Sequence, residues 1–146
     1  MAFTGTISMI CGPMFSGKTS EMFRHVRRYM VAKKKCVIIK YSKDTRYGGM
    51  GEAATHDLIK MNSTPCTALN DVRAEAMQCD VIGIDEGQFF PDIVEFAEEM
   101  VCDCFSFLLF QICLLQLCVC CHQCLRIVRI SSPLSISIDL LLIVFC

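Results

Sequence analysis

The stretch Gly12-Pro13-Met14-Phe15-Ser16-Gly17-Lys18-Thr19 constrains this chain more than any other, because it fits a phosphate-binding loop in both pattern and setting. An apolar run, Ile7 to Cys11, leads into it, and a stretch of helical periodicity leads out. Strand, glycine-bounded loop and helix in that order is the context in which G-x-x-x-x-G-K-[ST] denotes a nucleotide phosphate site. Gly12 and Gly17 permit backbone conformations that a β-carbon would block, so successive N–H groups can turn toward phosphate oxygens. The following helix adds its positive N-terminal end. Lys18 would place an ammonium on the β- and γ-phosphates, and Thr19 would offer a hydroxyl to Mg²⁺.

A second constellation agrees with the first. Asp80-Val-Ile-Gly-Ile-Asp85-Glu86 is an apolar strand that ends in two carboxylates. In a parallel sheet Asp85 would reach the same edge as the loop and hold Mg²⁺ directly or through water. Glu86 would then lie near the γ-phosphate and could take a proton from an attacking group. The spacing does not say whether that group is water or a substrate hydroxyl.

The intervening segments predict an α/β fold, a phosphate-loop parallel sheet flanked by helices. Strands are expected near residues 6–11, 36–41 and 80–85. Met22, Val26, Tyr29 and Met30 share one helical face, with Arg24, Arg27 and Arg28 outward. Leu69, Val72, Ala76 and Met77 mark a second helix, and Ile93, Phe96, Ala97 and Met100 the inner face of a third, with Pro91 at its start. Gly48 to Gly51 reads as a loop. The arginines and the Lys33-Lys34-Lys35 run suggest nucleic acid only superficially. With a net charge of −1 they read as a solvated helix end, and no nucleic-acid partner is expected.

These residues, together with Arg27-Arg28-Tyr29, Lys40-Tyr-Ser-Lys-Asp44-Thr45-Arg46-Tyr47, Thr55-His56-Asp57 and the block Val81 to Phe96, closely resemble the cytosolic-type (type II) thymidine kinases. The resemblance runs from about Thr6 to about Met100, in order and at the family's spacing. It implies a cytoplasmic enzyme that uses ATP with Mg²⁺ to phosphorylate thymidine at its 5′-hydroxyl, with Glu86 as general base. It implies that Asp44, Thr45, Arg46, Gly87 and Gln88 lie beside the nucleotide and Phe89 beside the nucleoside, while Phe90 reads as core. Thr19-Ser20 reverses the family's usual serine-then-threonine order, and either hydroxyl can serve. The family's homotetramer and structural zinc are also implied, but the portion that builds them, and that grips the base, has no counterpart here.

After residue 101 the chain changes character, and two parts are expected: an incomplete kinase domain over 1–101 and an unrelated tail over 102–146. All eight glycines precede residue 102, whereas eight of the twelve cysteines follow residue 101. Of the 45 tail residues 36 are Leu, Ile, Val, Phe, Ser or Cys, a bias toward thymine-rich codons that predicts an intron or shifted frame as its source. No further strand is expected there, which would leave one sheet edge uncovered and the product prone to aggregate. Cys104 to Leu125 is 22 residues without formal charge, the length of a membrane span. Gln111, Gln116, His122 and Gln123 interrupt it, and a membrane role is not expected. Cys121-His-Gln-Cys124 has the spacing of half a zinc site, without the second pair such sites need.

Overall fold

The computed structural model describes residues 5–43, 52–54, 60–102, 107–113 and 137–142. Asp44 to Arg46, the Gly48–Gly51 loop, His56-Asp57 and Cys121 to Cys124 lie outside the described residues. In chain order the strands are β1 (Thr6–Gly12), β2 (Cys36–Tyr41), β3 (Glu52–Ala54), β4 (Lys60–Asn62), β5 (Thr64–Cys66), β6 (Val81–Asp85), β7 (Phe107–Cys113) and β8 (Ser137–Leu142). The helices are α1 (Lys18–Val31), α2 (Arg73–Ala76) and α3 (Ile93–Cys102). A 3₁₀ turn, Leu69–Val72, leads into α2, and a second, Gly87–Phe89, follows β6.

Six strands form one sheet in the order β5-β2-β6-β7-β1-β8, all parallel, while β3 and β4 make a small antiparallel pair. The parallel α/β architecture is therefore as expected, but the sheet is larger. Contrary to the expectation of no strand beyond residue 101, β7 fills the slot between β1 and β6, and β8 covers the far side of β1. A largely apolar run suits an inner strand of a parallel sheet, and Phe107–Cys113, apolar except for Gln111, matches all seven residues of β1 in register. β1 is thus flanked on both sides, and β5 and β8 are the edge strands among the described residues. At the opposite edge β5 carries Pro65, which lacks a donor and suits an edge strand.

Alternation along each strand divides the core between the two sheet faces. Ile10 and Ile38 pack with Met22, Phe23 and Val26 of α1. Ile7, Met9, Val37, Ile39, Ile82 and Ile84 pack on the other face with Leu69, Phe90 and α3 residues Ile93, Phe96, Ala97 and Met100. Ala76 is buried as expected, whereas Met30 (51% exposed) and Met77 (46%) are not core residues. Met30 lies in the last turn of α1, and Met77 follows the end of α2. Phe23, which the expected face left out, is buried beside Met22, because the stripe that a sheet covers is wider than one residue per turn.

Arg24, Arg27 and Arg28 face outward as expected. Arg24 Nε donates to Glu21 at 2.8 Å, and this bond holds the Glu21 carboxyl below its usual range. The lysine run is the helix stop: Lys33 N donates to Met30 O at 2.9 Å and Lys34 N to Tyr29 O at 3.0 Å. This pairing is a Schellman arrangement, and it puts Lys33 at φ 58°, where glycine is the usual occupant. Cys36 and Cys66 are free thiols, and burial pushes Cys66 up to about 11.

Two stability effects follow. A β-carbon on Gly83 would meet Val26 Cγ2 at 3.3 Å, Ile38 Cγ1 at 3.6 Å and Met22 Sδ at 3.7 Å, so α1 lies directly on this strand position. Gly83→Val is expected to lower stability by about 1–3 kcal/mol in urea unfolding, the usual cost of overpacking. Lys33→Gly is expected to raise it by about 1 kcal/mol, since the left-handed conformation costs an L-residue roughly that much.

Candidate functional site

The site is built where β1 ends. The chain leaves the sheet at Gly12, turns over Pro13 to Ser16, and enters α1 at Lys18. Phe15 (φ 64°) and Gly17 (φ 79°) are both left-handed, and Ser16 N donates to Pro13 O at 3.4 Å. Alternating helical hands in this way turns successive N–H groups inward, the geometry of an anion nest. Phe15 and Met14 are exposed at the loop's crest.

Lys18 is 6% exposed, and its Nζ folds back over the loop to donate to Pro13 O at 2.6 Å. The ammonium is thus held across the mouth of the nest. Ser16 is buried as well, and its Oγ has no hydrogen-bond partner among the described residues. A buried hydroxyl left in this way is costly in a finished core and fits a group that meets a polar ligand.

Thr19 Oγ1 donates to Asp85 Oδ1 at 3.4 Å, joining the start of α1 to the end of β6 across 66 residues of chain. Asp85 is buried. A hydroxyl and a carboxylate at this separation are the hard oxygen donors that Mg²⁺ prefers, so the residues present fit that ion. Glu86 follows at φ 54° and ψ 48°, again left-handed for a non-glycine residue. Its Oε2 accepts from Gln88 Nε2, and the Gly87–Phe89 turn carries the chain away. Strain of this kind clusters at sites whose surroundings fix them.

Beyond the turn, Phe89 stacks on Tyr41 with ring centroids 5.4 Å apart and planes at 28°. Phe90 meets the same ring edge-on at 5.3 Å and is fully buried, as a core residue should be. Gly12 to Thr19 and Asp85 to Phe89 therefore come together at one sheet edge, while Asp44, Thr45 and Arg46 lie outside the described residues. A cavity of about 320 Å³ lined by Val26, Met30, Cys36 and Glu75 lies at the opposite end of β2, away from this edge.

Lys40 is the residue the apolar pattern concealed. It is 6% exposed and stands in register with Asp85 on the neighbouring strand. Its position in a buried strand, two residues from Ile38 on the α1 side, was the available signal.

A glycine-bounded loop between a parallel strand and a helix, facing a carboxylate-ended strand one place removed in the sheet, defines a phosphate-loop α/β protein. A family model described as thymidine kinase matches residues 5–108, and the chain belongs to that family. It is 52% identical over 99 residues to thymidine kinase 1 of Dictyostelium discoideum, covering 66% of this chain and 44% of that protein. Over 96 residues it is 56% identical to the cytosolic thymidine kinase of Homo sapiens, covering 66% of this chain and 40% of that one. The thymidine kinase of vaccinia virus (strain Ankara) is 56% identical over 97 residues, with 66% and 53% covered. The matched region thus spans two-fifths to about half of the length of these relatives.

Among the described residues no helix is long and apolar enough to cross a membrane. Within the stretch from Cys104 to Leu125, residues 107–113 form β7, not a helix. No cluster of three metal-ligating side chains occurs among the described residues.

Lys18→Ala should weaken ATP binding about 10- to 100-fold in calorimetric titration, as expected for loss of a charge-assisted contact. Unchanged affinity would remove Lys18 from the site.

Proposed function

We propose that this chain is built for thymidine kinase chemistry: transfer of the γ-phosphoryl group of ATP to the 5′-hydroxyl of thymidine, giving thymidine monophosphate and ADP. The observation that carries the reading is the meeting of Thr19 and Asp85 beside the Lys18 loop, with Glu86 the next residue along. Family membership supplies the nucleoside as acceptor.

Each residue then has a task. The N–H groups of the Gly12–Lys18 loop (Pro13 has none) receive the phosphate chain, and the Lys18 ammonium exchanges the Pro13 carbonyl for phosphate oxygens. Thr19 and Asp85 would hold Mg²⁺. When bound, that ion supplies neutralisation of charge on the transferring group. Glu86 accepts the proton of the 5′-hydroxyl as its oxygen attacks phosphorus in line with the departing ADP oxygen. The hydrogen bond from Gln88 keeps the Glu86 carboxylate from swinging freely. Asp44, Thr45, Arg46, Gly87 and Gln88 are assigned to the nucleotide, and Phe89, backed by Tyr41, to the nucleoside face.

On this proposal residues 1–101 carry the chemistry, and the part from 102 to 146 contributes strands to the sheet. Cytoplasmic location is proposed from the printed names of relatives such as the human cytosolic enzyme. A homotetramer and a structural zinc, both implied by the resemblance, are not assigned to this chain. One observation favours a second reading, ATP hydrolysis: Glu86 is partly exposed, so water can reach its carboxylate.

Thymidine-dependent ADP formation by the 1–146 chain separates the two readings. Glu86→Gln should leave ATP affinity unchanged and slow thymidine-dependent turnover about 10²- to 10⁴-fold, the usual worth of a general base. Turnover equal to the parent would refute the role given to Glu86, and ADP release indifferent to thymidine would favour hydrolysis.

A further inference from the structure

The ring of Tyr41 meets both residues on which the turn after Glu86 closes, Phe89 and Phe90. We propose that Tyr41 is a positioning residue: it clamps the Gly87–Phe89 turn against the core and so fixes the Glu86 carboxylate beside Asp85. The assignment deepens the proposed function and rests on the reading of Glu86 as general base.

Alternation along β2 gives the first support. Tyr41 ends that strand, and with Val37 and Ile39 it packs in the cluster on the α3 face. Phe90, fully buried, belongs to the same cluster. It meets the Tyr41 ring edge-on, with centroids 5.3 Å apart and planes at 88°, so a core residue anchors the ring. Phe89 is only partly buried, and it stacks on that ring at 5.4 Å and 28°. Both separations fall within the roughly 4.5–7 Å over which aromatic rings attract beyond their buried area. Tyr41 thus joins the interior to a side chain at the rim of the site.

Backbone bonds carry the constraint back to Glu86. Phe89 N donates to Glu86 O at 3.0 Å, and Phe90 N donates to Gly87 O at 3.2 Å. Glu86 is left-handed (φ 54°, ψ 48°), a conformation that a residue with a β-carbon keeps where its surroundings enforce it. The two phenylalanines that Tyr41 holds are therefore the ones whose amides close the turn on Glu86 and Gly87. With the rings released, the turn can open and Glu86 can relax toward ordinary backbone angles, taking its carboxylate away from the attacking hydroxyl.

The consequence is functional. Displacing a reacting group by about 1 Å can cost on the order of 10²-fold in rate. The phosphate loop stands on β1 and α1, so loss of Tyr41 should fall on turnover and spare ATP affinity.

The test measures thymidine-dependent ADP formation, ATP affinity and amide exchange for the 1–146 chain and for Tyr41→Leu, Tyr41→Phe, Glu86→Gln and the Tyr41→Leu, Glu86→Gln double variant. Tyr41→Leu is expected to lower kcat about 10- to 100-fold with ATP affinity unchanged. It should also speed exchange of the Phe89 and Phe90 amides while β1 and β6 keep their protection. Tyr41→Phe retains the ring and is expected to recover most of both effects. Because Tyr41 acts through Glu86, the double variant should turn over little more slowly than Glu86→Gln alone. Turnover by Tyr41→Leu equal to the parent's, additive losses in the double variant, or a fall in ATP affinity matching the fall in kcat would overturn the assignment. If Tyr41→Leu does not fold, Phe89→Leu breaks the stack from its exposed side: faster exchange at the Phe89 and Phe90 amides upholds the clamp, and unchanged exchange overturns it. A parent chain without thymidine-dependent turnover would sink the reading of Glu86, and amide exchange would still decide whether Tyr41 holds the turn.

Discussion

The carboxyl ends of β1 and β6 reach the same sheet edge because β7 lies between them, parallel to both and hydrogen-bonded to both. Thr6 and Val81 each pair with Phe107, so the two flanking strands start level. That alignment brings the end of β6, and with it Asp85, to the first turn of α1. The opening of a phosphate loop needs length and register from the intervening strand more than it needs any particular side chain. A seven-residue strand, apolar except for Gln111, supplies both.

Local strain and electrostatics then shape the edge. Phe15 and Glu86, neither of them glycine, are both left-handed, and they stand on the two loops that face one another. Such conformations cost of order 1 kcal/mol each and persist where surrounding contacts fix them. Here the fixing contacts include the Lys18 bond to Pro13 O, the 3₁₀ turn after Glu86 and the Thr19–Asp85 link. The loop is thus pre-formed around a positive centre, with a buried serine hydroxyl turned to no described partner. On the proposed function, charge and backbone are arranged before a phosphate arrives, which is the condition for electrostatic stabilisation to act without reorganisation.

Much of this was legible in the chain itself, and the reasons differ by element. β1, α1 and β6 could be read because each couples a periodic pattern to a chemical terminus: Gly12, Lys18 and Asp85. Phe90 was separable from Phe89 as core, and the structure buries it completely. β7 and β8 were not legible. An apolar run without turn residues has no internal boundary, so a strand, a buried helix and a membrane span look alike over it. Their place in the sheet is set by pairing with β1, a long-range choice that local composition does not record. Met30 was misassigned because periodicity continues to the end of a helix after the sheet beneath it has stopped. Lys40 escaped notice for a related reason: a lysine near a strand end reads as solvated, whereas the structure buries it, in register with Asp85.

Hydrogen exchange of the full chain with and without Mg·ATP tests the central claim most directly. The account predicts slowed exchange of the amides from Met14 to Thr19 and around Asp85 to Gln88, with α3 unaffected. Exchange unchanged at the loop, or slowed uniformly over the whole sheet, would contradict the claim that these two strand ends form one triphosphate cradle.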